Sequence, residues 1–145
     1  MKRILTIVAF LAFSQMQAWA LSCPLTSYES RKEFQYNGVR LICDYRNGSL
    51  SSRFQQNGSE SESIDYYSNG MPREYNLRST NMGGGLYISN KKYNSSGMMI
   101  HNTLMSGSYG YECSHAGGYR MKCISYENGA GYDSSVEYAS QYEGN

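Results

Sequence analysis

From Phe34 to Leu77, short runs of alternating apolar and polar residues are separated by Asn-Gly, at Asn37-Gly38, Asn47-Gly48, Asn57-Gly58 and Asn69-Gly70. Alternation with a period of two puts successive side chains on opposite faces of a strand. Asn-Gly supplies the two positive-φ residues that a type I′ turn needs, so the pattern predicts consecutive antiparallel hairpins. Each Asn-Gly also follows an aromatic residue or Gln, as in Phe34-Gln35-Tyr36 and Tyr66-Tyr67-Ser68. The stretch is therefore a repeating β-meander.

Turn length sets the register. A two-residue turn at 37–38 places Tyr36 opposite Val39 and Phe34 opposite Leu41; one at 47–48 places Tyr45 opposite Leu50, Cys43 opposite Ser52 and Leu41 opposite Phe54. Phe34, Leu41 and Phe54 then form one cross-strand row. A two-residue turn at 57–58 would put Ile64 and Tyr66 on the other face, because a slip of one residue inverts every side chain. The expectation is instead a three-residue loop with Gly58 in a bulge, which opposes Leu50 to Tyr66 and Ser52 to Ile64. A two-residue turn at 69–70 then pairs Ile64 with Tyr75.

The pattern weakens after Asn76. Gly83-Gly84-Gly85 marks a hinge or a close backbone approach. Leu86-Tyr87-Ile88 and Tyr93-Asn94-Ser95-Ser96-Gly97 are degenerate copies of the aromatic-turn unit, Met98-Met99-Ile100 is a strand, and Leu104, Tyr109, Tyr111 and Cys113 continue the extended pattern. Ser125-Tyr126-Glu127-Asn128-Gly129 is a last clean copy, and beyond Ala130 no periodic face is visible, so 130–145 is expected to be a poorly ordered tail. Pro72 just after a turn implies an edge or a twist. The fold class is all-β, a meander of stacked antiparallel hairpins, with the repeat domain over 21–129.

The N-terminus changes the compartment. Lys2 and Arg3, the apolar run Ile4 to Phe13 and Ala18-Trp19-Ala20 have the layout of a secretory signal peptide over 1–20. The apolar run is too short for a permanent membrane span and no later stretch supplies a transmembrane segment. The bacterial-type signal places the protein in the periplasm or outside the cell. With Lys2 and Arg3 removed, the balance of 13 basic and 12 acidic residues turns from +1 to about −1, which speaks for neither nucleic acid nor an anionic membrane as partner. With 15 Tyr against 4 Phe, the core must be built largely from tyrosine rings with wet hydroxyl ends, which suits a thin sheet.

All four cysteines lie in the exported part, and an oxidising compartment makes two disulfides the default. Of three connectivities, Cys23 with Cys43 and Cys113 with Cys123 is favoured. The first staples the segment after the signal onto the apolar face of the meander. The second lies across a hairpin, since an odd-length turn between the cysteines would set them directly opposite one another.

The run Tyr66-Tyr67-Ser68-Asn69-Gly70-Met71-Pro72-Arg73-Glu74-Tyr75, with echoes at Tyr36, Tyr45 and Tyr126, resembles the tyrosine-x-asparagine-glycine hairpin of MORN-type repeats, and most of all the bacterial antitoxin-like group. The resemblance covers about half of the mature chain. It implies an elongated single-layer sheet that serves protein or lipid contacts and no catalysis. A weaker likeness, from Gly85 to Met99, is to choline-binding aromatic hairpins, which rely on Trp cages that the mature chain lacks.

Candidate chemistry is sparse. Cys113 or Cys123 with His115 or His101 has the residue types of a nucleophile and base, and Cys113, His115 and Cys123 those of a zinc site, but oxidation to disulfides competes with both. Glu60 and Glu62 are the carboxylate pair a small hydrolase would need. Gly83-Gly84-Gly85 lacks the Lys-Ser or Lys-Thr of a phosphate loop. The residues therefore predict no enzyme and no cofactor. Tyr67, Tyr87 and Tyr93 are the candidate binding surface. The expected role is an exported protein-binding module with an unidentified protein partner. A cell-envelope glycan ligand is the first alternative and a secreted hydrolase the second. Sheet edges offer a route to self-association.

Overall fold

The computed structural model of the protein describes residues 22–80, 85–118 and 120–138. Ten antiparallel strands follow one another in one sheet, in chain order: β1 (Arg31–Tyr36), β2 (Val39–Arg46), β3 (Ser49–Asn57), β4 (Glu60–Tyr66), β5 (Pro72–Thr80), β6 (Leu86–Tyr93), β7 (Met99–Ser106), β8 (Tyr109–Gly117), β9 (Arg120–Glu127) and β10 (Ala130–Tyr138). This is the all-β, disulfide-stapled meander that the alternation predicts. The signal-peptide expectation for 1–20 and the Gly83-Gly84 hinge lie outside the described residues.

Three Asn-Gly pairs turn as expected. Asn37-Gly38, Asn47-Gly48 and Asn128-Gly129 have φ of +48 and +80, +53 and +81, and +53 and +81, the type I′ signature. Asn57 does not turn. It ends β3 opposite Glu60, and Gly58, at φ +58, is the first of two central residues, as a type II′ turn requires. The loop at Asn69-Gly70 is longer than two residues: Tyr67 N donates to Met71 O at 2.8 Å. Asn94 N donates to Met98 O at 2.9 Å in an equivalent loop, with Gly97 in the place of Gly70.

Register shifts occur in β2–β3, β4–β5, β6–β7 and β8–β9, the hairpins closed at one end of the sheet. The hairpins closed at the other end are regular except for the last, β9–β10. In β2–β3 the extra residue is Ser51, between the pairs Asp44–Ser52 and Tyr45–Leu50. Its hydroxyl donates to the Asp44 carbonyl at 3.0 Å, satisfying a backbone group at the irregular position.

This corrects the expected register. Tyr45 does face Leu50, and Phe34 faces Leu41, but beyond the bulge Cys43 faces Arg53, Leu41 faces Gln55 and Phe54 faces Ile42. Phe34 and Phe54 therefore stand on opposite faces. Across β3–β4, Ile64 faces Arg53 and Ser52 faces Asp65, where the three-residue loop would have put Ile64 opposite Ser52. The extra residue sits at Ser51 and not at Gly58, because a serine hydroxyl can serve the bulge while Gly58 closes a tight turn. Ile64 still pairs with Tyr75, since the longer loop at 67–71 and a second extra residue, Arg73, cancel.

The resulting inner face carries Leu41, Cys43, Tyr45 and Ile64, and beyond them Tyr93, Met99, Cys113, Met121 and Cys123, all buried. Leu41, Cys43 and Tyr45 form one cluster at β2, joined by Cys23, Phe34 and Leu50, and the last five form another spanning β6 to β9, joined by Tyr75 and Tyr111. Residues 25–30 lie against the first cluster: Ser27 N donates to Gly48 O, Leu50 N to Leu25 O and Tyr45 N to Ser30 O, at 2.8–3.0 Å. The Cys23–Cys43 bridge, with Cα atoms 5.6 Å apart, fastens that segment. Cys113 and Cys123 are directly opposed in β8–β9 and bridged. Both pairings are those favoured from the sequence.

The sheet does not stop at Ala130. The Asn128-Gly129 turn returns the chain beside β9, and β10 pairs with it through Tyr138. Backbone pairing at an edge needs no periodic apolar face, which is why the sequence pattern ended too early.

Leu41 is fully buried, whereas Phe54 is half-buried on the other face. Leu41→Ala is expected to cost about 2–5 kcal/mol in urea unfolding, and Phe54→Ala clearly less; equal losses would return Phe54 to the core row.

Candidate functional site

The outer face is mostly polar and its side chains are tied into a ladder across the strands. Arg31, Asp44, Ser52, Asp65, Glu74, Lys92 and His101 form one row through successive pairs. Arg31 holds Asp44 through two bonds of 2.6 and 3.1 Å, Ser52 donates to the same carboxylate at 3.2 Å, and Arg73 donates to Asp65 at 3.1 Å. In the next row Asn76 donates to Ser63 Oγ at 3.5 Å, and Asn90 to Asn76 Oδ1 at 2.5 Å and Glu74 at 2.8 Å. The Arg31 guanidinium holds Asp44 below the usual carboxylate range, chiefly through that hydrogen bond, and Arg40 does the same for Glu33.

An apolar patch interrupts this face on β6 to β9. Ile88 faces Met105, Met105 faces Gly110 and Gly110 faces Tyr126. Leu86 and Ile124, each two residues from a member of that row, share its face. Leu86, Ile88 and Ile124 are 37%, 37% and 38% exposed. Gly110 is required here, because a Cβ would collide with the Met105 sulfur and the Leu104 carbonyl. Without a side chain at Gly110, the Met105 sulfur lies over that position of β8, between the rows of Ile88 and Tyr126. Glu112 receives the Tyr126 hydroxyl at 3.4 Å, and Arg78 stands opposite Ile88, so the rim is polar.

The tyrosines singled out from the sequence do not form this surface. Tyr93 is 4% exposed and belongs to the inner cluster. Tyr67 donates its hydroxyl to Tyr93 O at 2.8 Å and ties two neighbouring loops together. Tyr87 stands six residues from Tyr93 along β6, about 20 Å at strand rise, so the three make no single patch. The residues that do were hidden by their neighbours. Leu86-Tyr87-Ile88 and Cys123-Ile124 are consecutive apolar residues, and only the register tells which of each faces outward.

The catalytic candidates are occupied elsewhere. Cys113 and Cys123 are bonded to each other, so neither is a thiolate beside His115 or His101. His115 Nε2 lies 2.7 Å from Gly118 O, and His101 Nε2 lies 2.8 Å from Thr103 Oγ1. Glu62 is ion-paired with Arg53 on the inner face. Burial first, and then the Glu62 carboxylate, push the neighbouring Tyr75 hydroxyl up from its ordinary value. Among the described residues no helix is long and apolar enough to cross a membrane.

A carboxyl held below its unfolded value contributes stability that is complete above the unfolded value and is lost as pH falls through the folded one. Asp44→Asn is therefore expected to lower the unfolding midpoint slightly at pH 7 and to make the acid limb shallower below about pH 4. Parallel acid limbs for the two proteins would show that the Arg31–Asp44 pair carries no such linkage.

Comparison with protein-family models, with curated proteins and with solved structures finds no match to this chain.

Proposed function

We propose that the protein is an exported, non-enzymatic binding module that holds a protein partner on the outer-face patch of Leu86, Ile88, Met105, Ile124 and Tyr126. The carrying observation is the patch itself: apolar side chains on one face of β6, β7 and β9, with Leu86, Ile88 and Ile124 exposed, on a face that is otherwise hydrogen-bonded and charged, and a glycine on the strand between over which the Met105 sulfur lies. Exposed apolar surface rimmed by polar groups is the usual mark of a protein contact site. The partner contributes a complementary apolar surface, with polar groups to meet Glu112 and Arg78.

Export rests on the signal-like N-terminus and is in keeping with two disulfides, which persist in oxidising compartments. The MORN-type likeness agrees in kind, since such sheets serve contacts. Face binding is favoured over edge pairing by two features of the edges. Lys32 stands on the inner face of β1, opposite Cys43, and β10 carries a register shift; inward charges and bulges both blunt strand addition.

The test uses the oxidised mature chain as bait in envelope and periplasmic extract, beside a bait carrying Ile88→Asp and Ile124→Asp. One protein recovered by the first bait and lost with the second, at unfolding free energies that agree within about 0.5 kcal/mol, is the expected result. Equal recovery by both baits, or no specific recovery by the first, would overturn the assignment of the patch.

A further inference from the structure

Across the outer face of β5 to β9 the register lines up two rows that belong together. One reads Arg78, Ile88, Met105, Gly110 and Tyr126; the other, four residues away along the strands, reads Glu74, Lys92, His101, Ser114 and Lys122. β7 is the middle strand of both. We propose that the protein partner on this patch is a second copy of the chain, packed face to face about a two-fold axis that runs along β7. The pairing rests on the assignment of the patch as a contact site and gives that site its occupant.

A symmetric contact forms only where a surface complements itself. The axis along β7 keeps each row on itself and exchanges β5 with β9 and β6 with β8. Ile88 of one copy then comes over Gly110 of the other, the low point of the row, against the Met105 sulfur that lies there. Arg78 is exposed and forms no ion pair among the described residues. It comes over the Tyr126 ring of the second copy, whose hydroxyl is bonded to Glu112 at 3.4 Å, so the guanidinium meets a π face with a carboxylate beside it. Lys122 is also exposed and without an ion pair among the described residues. It comes over Glu74, which Lys92 at 3.7 Å and Asn90 at 2.8 Å hold in place. In the row between, the Asn90 amide comes over the Glu112 carboxylate.

Charge selects this axis over others. Its cations and anions stand on opposite flanks of one apolar row, so each copy brings Arg78 and Lys122 to the places where the other brings Tyr126 with Glu112, and Glu74. An axis across the strands through the same row would set Arg78 on Arg78. Sheets packed face to face lie about 10 Å apart with strand directions within about 30°, a gap that Ile88 and Met105 fill from both sides. At ordinary strand spacing the surface is about 19 Å wide and about 20 Å long, small beside the roughly 800 Å² per partner of a standard interface. The dimer is therefore a weak one, with a dissociation constant of about 10 µM to 1 mM.

The test is sedimentation equilibrium of the oxidised mature chain from about 5 µM to about 1 mM, with an isotope-filtered Overhauser spectrum of a mixture of ¹³C-labelled and unlabelled chains. The expected result is a reversible dimer, with contacts from the Ile88 methyl groups of one copy to the Gly110 α-protons of the other. Ile88→Asp should abolish it. Lys122→Glu should weaken it about tenfold or more, and adding Glu74→Lys to Lys122→Glu should restore most of the loss. A monomer over the whole range would overturn the proposal, as would a dimer that Ile88→Asp leaves intact or intermolecular contacts confined to β1 and β10. A charge-exchanged pair as weak as Lys122→Glu alone would overturn the axis. A chain that stays monomeric while a different protein is still recovered from extract, and lost with the Ile88→Asp and Ile124→Asp bait, overturns the self-pairing alone; a monomer with no such recovery overturns the patch assignment as well.

Discussion

In an antiparallel sheet the face a side chain takes is a matter of parity, and in this protein parity is reset by one extra residue in each hairpin closed at the bulged end. Everything else depends on that constraint. With Ser51 in place, Leu41 and Cys43 stay inside while Phe54 turns outward over Ile42. Without it, Phe54 would enter the core row and Arg53 would leave the side on which Glu62 meets it. A bulge also strengthens local twist, and placing it at the same end of successive hairpins repeats the same distortion along the sheet.

The core that results is thin and divided. Its two clusters are each completed by a disulfide on the inner face, one of which closes the segment before β1 over the sheet and one of which crosses β8–β9. Between them the inner face turns polar, with Arg53 and Glu62 paired beside Tyr75. A chain with few large aliphatic residues thus concentrates its burial at two stations and adds a covalent link at each, for about 2–4 kcal/mol apiece. The outer face is left to hydrogen bonds and ion pairs, and so the apolar interruption at Ile88, Met105 and Ile124 stands out.

Much of the fold was legible from residues alone, because turn chemistry is local. Asn37-Gly38, Asn47-Gly48 and Asn128-Gly129 adopt the backbone that their side chains favour, and cysteine placement indicated both bridges. What was not legible was where an extra residue would be inserted. Ser51 carries no special backbone demand, and its role appears only once its hydroxyl meets the Asp44 carbonyl. That one uncertainty propagated to function. A tyrosine-rich strand advertises its tyrosines, yet Tyr93 is core and Tyr67 is a loop brace. Nothing in the sequence marks Ile88 and Ile124 as outward, because each stands beside an inner-face residue.

The most direct measurement is a nuclear Overhauser spectrum of the oxidised chain, read at the Phe54 ring. The bulged register predicts contacts from that ring to the Ile42 side chain and to Ser63, and none to Leu41. Strong contacts from Phe54 to Leu41 and Phe34 would contradict the account: the inner and outer faces of β3 would exchange, and Ser52 would leave the outer row it forms with Asp44 and Asp65.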